Sequence, residues 1–81
     1  MTGIEVDARG LRCPLPVIRL AAAARDAAAG TVVTVLATDP AARHDVPAWC
    51  RMRGQELRTV TDEVAPDGSA YQRFVVVVGA P

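Results

Sequence analysis

The chain has 81 residues, with nine basic and nine acidic side chains, so its formal net charge at pH 7 is zero. This length predicts one small domain over residues 1–81. The balanced charge argues against direct nucleic-acid binding, because no basic surplus is present to neutralise a phosphate backbone. No apolar stretch is as long as a membrane span, and residues 1–7 lack the pattern of a signal peptide. We therefore expect a cytoplasmic protein with reduced thiols and no membrane association.

The sequence of the N-terminal third of the chain predicts a strand followed by a helix. Residues 4–8 alternate like a short strand, and a polar turn containing Gly10 follows. A helix is predicted over 14–29, because Gly30 is a good helix terminator and proline is tolerated in a first turn. At about 100° per residue, the buried face is predicted to comprise Val17, Ala21, Ala24 and Ala28 with Leu20 at its edge, and Arg19, Ala23 and Asp26 are predicted to face water.

A second strand and a second helix are predicted next. Residues 31–37 are rich in β-branched side chains, which indicates a buried strand. Asp39 and the proline after it form a helix-start signal, so one irregular helix is expected over about 40–53. Pro47 leaves open a separate turn followed by a second start capped by Asp45. The apolar stripe of this helix comprises Ala42, Val46, Trp49 and Cys50.

The C-terminal third predicts a hairpin. Strands are expected over 56–64 and 71–78, because the Pro-Asp-Gly-Ser segment between them is a strong turn signal. A right-handed β-α-β unit would place the first helix on one face of the sheet, and the second helix is expected to join it there. The predicted fold class is α+β, a two-layer β-α-β-α-β-β sandwich with four strands and both helices on one face.

Cys13 is the residue that most strongly indicates chemistry. It lies where the first helix is predicted to begin, and a helix N-terminus favours an anion. The thiolate is the reactive form of cysteine, so we expect an exposed thiol whose pKa is lowered into the range of ~3.5–7.5. Arg9, Gly10 and Arg12 make the preceding segment polar and cationic, which favours a reactive cysteine over a buried one.

Several kinds of reactive cysteine are disfavoured by the sequence. His44, the single histidine, is far from Cys13 in sequence, so a hydrolase lacks its base. Residue 16 is proline, so no Cys-x-x-Cys motif is present, and two cysteines with one histidine are too few for zinc. No metal or cofactor is expected, and a covalent carrier is favoured. Two alternatives stay open: a thiol-redox or thiosulfate-handling protein using Cys13 with or without Cys50, and a non-catalytic regulatory or RNA-binding module.

Two separate motifs also resemble a known family, the TusA/SirA-like sulfur carriers, over nearly the whole chain. The resemblance implies a sandwich like the C-terminal domain of bacterial translation initiation factor three, with the last strand antiparallel to the others. The residues that carry it are Asp7-x-x-Gly10-x-x-Cys13-Pro14-x-Pro16, Asp39-Pro40 and Asp45-x-Pro47-x-Trp49-Cys50.

The resemblance implies that Cys13 accepts sulfane sulfur as a persulfide from a cysteine desulfurase or a rhodanese-like donor. Cys13 would then relay the sulfur to a downstream acceptor protein, for tRNA thiolation, molybdenum-cofactor maturation or sulfur oxidation. Such a chain is a sulfurtransferase component rather than a free-standing enzyme, and we expect a monomer or a weak edge-strand dimer. Asp7, Gly10, Pro14 and Pro16 are expected to shape the loop and helix start, and the candidates for partner docking are Arg9, Arg12 and Arg19.

Overall fold

The computed structural model describes residues 3–79, and these form four strands and two helices in the predicted order. No strand bound differs from its prediction by more than one residue. The elements are β1 (Gly3–Ala8), α1 (Leu15–Arg25), β2 (Val32–Ala37), α2 (Ala42–Arg53), β3 (Glu56–Val64) and β4 (Ala70–Val77).

The strands form one mixed sheet in the order β1-β2-β4-β3. β1 is parallel to β2, and β4 is antiparallel to both β2 and β3. The last strand is therefore antiparallel to the others, as the resemblance implied. In the parallel pair Ala8 lies opposite Ala37, so β1 and β2 end side by side. The loops that follow these two strands consequently emerge next to each other.

The core lies between the sheet and a layer that contains both helices. α1 packs on β1 and β2, α2 packs on β3 and β4, and the two helices contact each other, so they share one face of the sheet. The α+β two-layer prediction is confirmed. The largest fully buried side chains are Pro16, Leu20, Val33, Val35, Val46, Phe74 and Val76.

α1 is shorter than the sequence predicts, because it ends at Arg25 rather than at Ala29. The following residues turn towards β2 instead of continuing the helix. Gly30 has a φ of 90° and donates its N–H to the carbonyl of Val78 at 2.7 Å. A tertiary hydrogen bond to the end of the hairpin thus outweighs the helix propensity of the alanines over 27–29.

The buried face of α1 is also rotated from the predicted one. Leu20 was expected at the edge but lies at the centre, fully buried between Pro16 and Ala24. Ala28 is exposed, and Ala23, predicted to face water, is half-buried against the core. Alanines remove little area from water, so the larger side chains decide which face is buried.

α2 is one continuous helix that contains Pro47 and ends at Gly54, so the alternative of a second start at Asp45 is wrong. Asp39 does not cap it directly, since the chain first makes a tight turn in which Ala42 N–H donates to the Asp39 carbonyl at 3.0 Å. The predicted stripe is confirmed for Ala42, Val46 and Cys50, which are buried, whereas Trp49 is half-buried. Neither α1 nor α2, the helices described within 3–79, has the length and apolar character needed to cross a membrane.

Candidate functional site

Cys13 lies in the loop between β1 and α1, directly before the helix cap Pro14. The side chain is half-buried and packs against the core, rather than being fully exposed as the sequence suggested. The thiol is free, as is that of Cys50. Pro14 precedes the helix instead of occupying its first position, and Pro16 in the first turn is buried. The two prolines therefore stand at the start of α1, and the Cys13 side chain is less exposed than the sequence suggested.

Two hydrogen bonds join the cysteine loop to the loop after β2. Gly10 N–H donates to Thr38 Oγ1 at 2.8 Å, and Cys13 N–H donates to Asp39 Oδ2 at 2.9 Å. We call this pair of bonds the loop clasp. It forms because β1 and β2 are parallel neighbours whose loops emerge side by side. The clasp fixes the main chain on both sides of Leu11 and Arg12, and so sets the position from which the Cys13 side chain projects.

The helix start offers Cys13 few free N–H groups. Pro14 and Pro16 have no N–H to give, and Leu15 N–H donates to the Arg12 carbonyl at 2.9 Å. The N–H of Cys13 itself is used by Asp39 in the loop clasp. The helix start therefore offers this cysteine fewer free N–H groups than a helix N-terminus without prolines would.

The thiol of Cys13 has a raised pKa, the opposite of the expected shift. Burial and the negative carboxylates of Asp45 and Asp39 raise the pKa of Cys13 to about 11. The thiol is consequently neutral at pH 7. Sequence reasoning treated both aspartates as structural residues and missed their effect, because they lie on a different loop and helix.

A groove of about 220 Å³ runs beside the cysteine loop between α1 and α2. Its walls are mostly apolar, and Asp45 is their one charged residue. Met52 at the rim is 77% exposed. This groove gives an incoming group a surface beside Pro14, the residue that follows Cys13 in the chain. The lining residues are Pro14, Val17, Asp45, Ala48, Trp49 and Met52.

Arg9 is exposed and pairs with Asp7 of its own loop. Its guanidinium donates from Nε and Nη2 to the two carboxylate oxygens of Asp7, each at 2.8 Å, and lies 5.1 Å from the centre of the Tyr71 ring. These hydrogen bonds lower the pKa of Asp7 to about 2. Asp7 also accepts the Arg9 N–H at 3.2 Å, and Gly10 has a φ of 81°. The bond from Arg9 N–H to Asp7 and the positive φ of Gly10 both lie in the turn after β1.

The other candidate residues differ in their exposure. Arg12 and Arg19 are exposed. Cys50 is 2% exposed, and its burial raises the pKa of its thiol. His44 is exposed on α2. Within residues 3–79, no three His, Cys, Asp or Glu side chains are grouped so as to hold a metal ion.

Comparison with known proteins identifies the family. The family model described as "Sulfurtransferase TusA" matches residues 4–77. The sulfur carrier protein TusA of Pseudomonas putida (strain W619) is 45% identical over 58 residues, which is 72% of this chain and 72% of that protein. For the sulfur carrier protein TusA of Pseudomonas entomophila (strain L48), identity is 50% over 52 residues, 64% of this chain and 65% of that protein, so the match spans just under two thirds of that relative.

A more distant relative and a solved structure agree with this result. The putative sulfur carrier protein YrkI of Bacillus subtilis (strain 168) is 40% identical over 58 residues, 72% of this chain and 77% of that protein. The crystal structure of a SirA-like protein from Desulfitobacterium hafniense superimposes with a TM-score of 0.71 at 31% identity, covering 95% of this chain and 99% of that one. The chain belongs to the TusA family. The predicted family and fold class are thereby confirmed.

Proposed function

We propose that the chain carries sulfane sulfur as a persulfide on Cys13, accepting it from a cysteine desulfurase or a rhodanese-like donor and passing it to an acceptor protein. Sulfur carriage is the function named for its relatives. The observation that favours Cys13 as the carrier residue is the contrast between the two thiols: Cys13 is half-buried in a loop, whereas Cys50 is 2% exposed. Since both thiols are free, a reducing compartment such as the cytoplasm is part of the proposal.

The transfer needs no oxidant or cofactor. Cys13 Sγ attacks the outer sulfur of the donor's persulfide, and a new sulfur–sulfur bond forms while the donor's own bond breaks. The bonding pair leaves with the donor cysteine sulfur, which takes up a proton, while Cys13 gives up its thiol proton. With a neutral thiol, the free chain is a poor nucleophile. The donor and acceptor proteins therefore supply most of the catalysis, and this chain acts as a carrier, as a monomer or a weak dimer.

The two alternatives are less well supported. A redox role that pairs Cys13 with Cys50 would require Cys50 to leave the core, where it packs with Ala42 and Val46. An RNA-binding module is disfavoured because the formal net charge is zero, so the chain has no surplus of basic residues to pair with a phosphate backbone. The redox role is a distinct outcome of the experiment below.

Mass spectrometry of the chain after incubation with a cysteine desulfurase and cysteine tests the proposal. We expect one added sulfur on the peptide that contains Cys13, and its removal by a thiol reductant. A mass loss of two hydrogens with a Cys13–Cys50 cross-link would support the redox alternative instead. An unmodified Cys13 in the presence of an active desulfurase and of a rhodanese-like donor would contradict the carrier role.

Partner docking is proposed for Arg12 and Arg19, because these exposed cations flank Cys13 in sequence on either side. Changing either to alanine is expected to slow sulfur loading several-fold, and more at low ionic strength, because exposed charges act mainly on the association rate. Arg25→Ala is the matched control, since Arg25 is also exposed but lies at the far end of α1. Loading rates are read by quenched mass spectrometry. Equal rates for all three variants would remove these arginines from the docking surface.

A further inference from the structure

We propose that a cleft between the C-terminal ends of α1 and α2 binds a small organic anion, an apolar body that carries one carboxylate or phosphate group. We call this cavity the helix-end cleft. Its volume is about 520 Å³, within the range of ~300–1,000 Å³ that is typical of small-molecule sites. The cleft is separate from Cys13, so the inference goes beyond the proposed function. The lining residues are Ala21, Ala24, Arg25, Trp49, Arg53 and Gln55.

The fold brings two arginines to this cleft, because α1 and α2 run in the same direction. α1 joins the parallel strands β1 and β2, and α2 joins β2 to β3, which are also parallel because β4 is antiparallel to both. Arg25 lies in the last turn of α1, and Arg53 lies in the last turn of α2. This end of the helix layer is remote from the cysteine loop, since α1 rises about 15 Å from Leu15 to Arg25.

The charge of the helix-end cleft favours an anion. Arg25 and Arg53 are exposed, and none of the four ion pairs found among residues 3–79 includes either of them. The lining residues include two cations and no carboxylate, whereas the groove beside the cysteine loop has Asp45 as its one charged residue. A favourable interaction with the helix dipole explains each last-turn arginine by itself, but it does not explain why both line one cavity. A cleft lined by charges of one sign concentrates ions of the opposite sign.

The uncharged walls of the cleft indicate which kind of anion fits. Two alanines of α1 and the half-buried Trp49 provide apolar surface. The amide of Gln55 is held by main-chain groups, because its Nε2 donates to the Arg53 carbonyl at 3.3 Å and its Oε1 accepts the Gly79 N–H at 2.6 Å. The charged groups of the cleft are the two guanidiniums, and a guanidinium can donate two parallel hydrogen bonds to a carboxylate or a phosphate. An apolar molecule with one acidic group therefore complements both parts of the cleft.

Titration with octanoate tests the proposal, with binding followed by the fluorescence of Trp49, the single tryptophan of the chain. We expect a saturable shift of the emission to shorter wavelength as the apolar chain covers the indole, and weaker binding at high salt. Octanamide has the same chain without the charge, and acetate has the charge without the chain, so each is expected to bind at least about tenfold more weakly. Octyl phosphate in place of octanoate shows which acidic group is preferred, and tight binding of either one supports the proposal.

Arginine variants locate the bound anion. Arg25→Ala and Arg53→Ala are each expected to weaken octanoate binding about tenfold, because each removes a hydrogen bond to a charged group. Arg51→Ala is the matched control, since Arg51 is also an exposed cation in the last turn of α2 but does not line the cleft. Cys13→Ser is expected to bind octanoate as tightly as the unmodified chain, which keeps this result independent of sulfur loading. Equal affinities for all three arginine variants, or octanamide binding as tightly as octanoate, would overturn the inference.

Discussion

Replacing Cys13 by serine is expected to abolish sulfur loading from a cysteine desulfurase. A serine hydroxyl cannot accept sulfane sulfur as a persulfide, and Cys50 is too deeply buried to substitute for the lost thiol. The fold is expected to survive, because Cys13 contributes its N–H rather than its side chain to the loop clasp. The loss should therefore reflect chemistry rather than unfolding.

Cys50→Ala is the matched control for this variant. It removes the other thiol without burying a hydroxyl, and it is expected to keep full loading on Cys13 with some loss of stability from the small cavity. Loading on both single variants is read by intact-mass spectrometry after equal exposure to the donor. If Cys13→Ser still gained the added sulfur, or if Cys50→Ala failed to gain it, the assignment of the carrier role to Cys13 would be contradicted.

The second prediction with a large expected effect concerns the stability of the folded chain. Leu20→Ala is expected to lower the free energy of unfolding by about 2–5 kcal/mol, because a fully buried leucine leaves a cavity when it is shortened. This is a large part of the ~5–15 kcal/mol that stabilises a typical domain. Leu20 is 0% exposed at the centre of the buried face of α1.

Ile18→Ala provides the comparison, because Ile18 lies on the same helix and is 54% exposed. Its cost is expected to be much smaller, within about 1 kcal/mol. Urea denaturation followed by circular dichroism measures both variants, with similar slopes expected for the two transitions. Equal losses would show that Leu20 lies at the edge of the buried face, as the sequence alone predicted.

The strands were predictable because their signals are local. The run of β-branched residues predicts β2, and the turn signal between β3 and β4 predicts the hairpin. Neither prediction depends on contacts with distant parts of the chain. α1 was less predictable, because its end depends on a hydrogen bond from Gly30 to Val78 at the other end of the chain. Its face was misjudged because a nearly continuous alanine run carries little directional information.

The position of Cys13 was predictable, but its environment was only partly so. The sequence alone shows that Pro14 and Pro16 have no N–H group. The start of α1 therefore has two fewer donors for an anion than the prediction assumed. The influence of Asp39 and Asp45 required the sheet order, because only the parallel pairing of β1 and β2 brings their segment to the cysteine. A carboxylate after the second of two parallel strands is the signal that sequence reasoning missed.

The loop clasp has a practical consequence for finding the proteins that meet this carrier. Both of its donors are main-chain amides, those of Gly10 and Cys13, so the loop is held in the same way whichever side chain occupies position 13. A Cys13→Ser chain should therefore present an unaltered surface that binds a donor but cannot complete the exchange. Immobilised on a resin, that chain is a bait that retains the sulfur donor at the step before transfer.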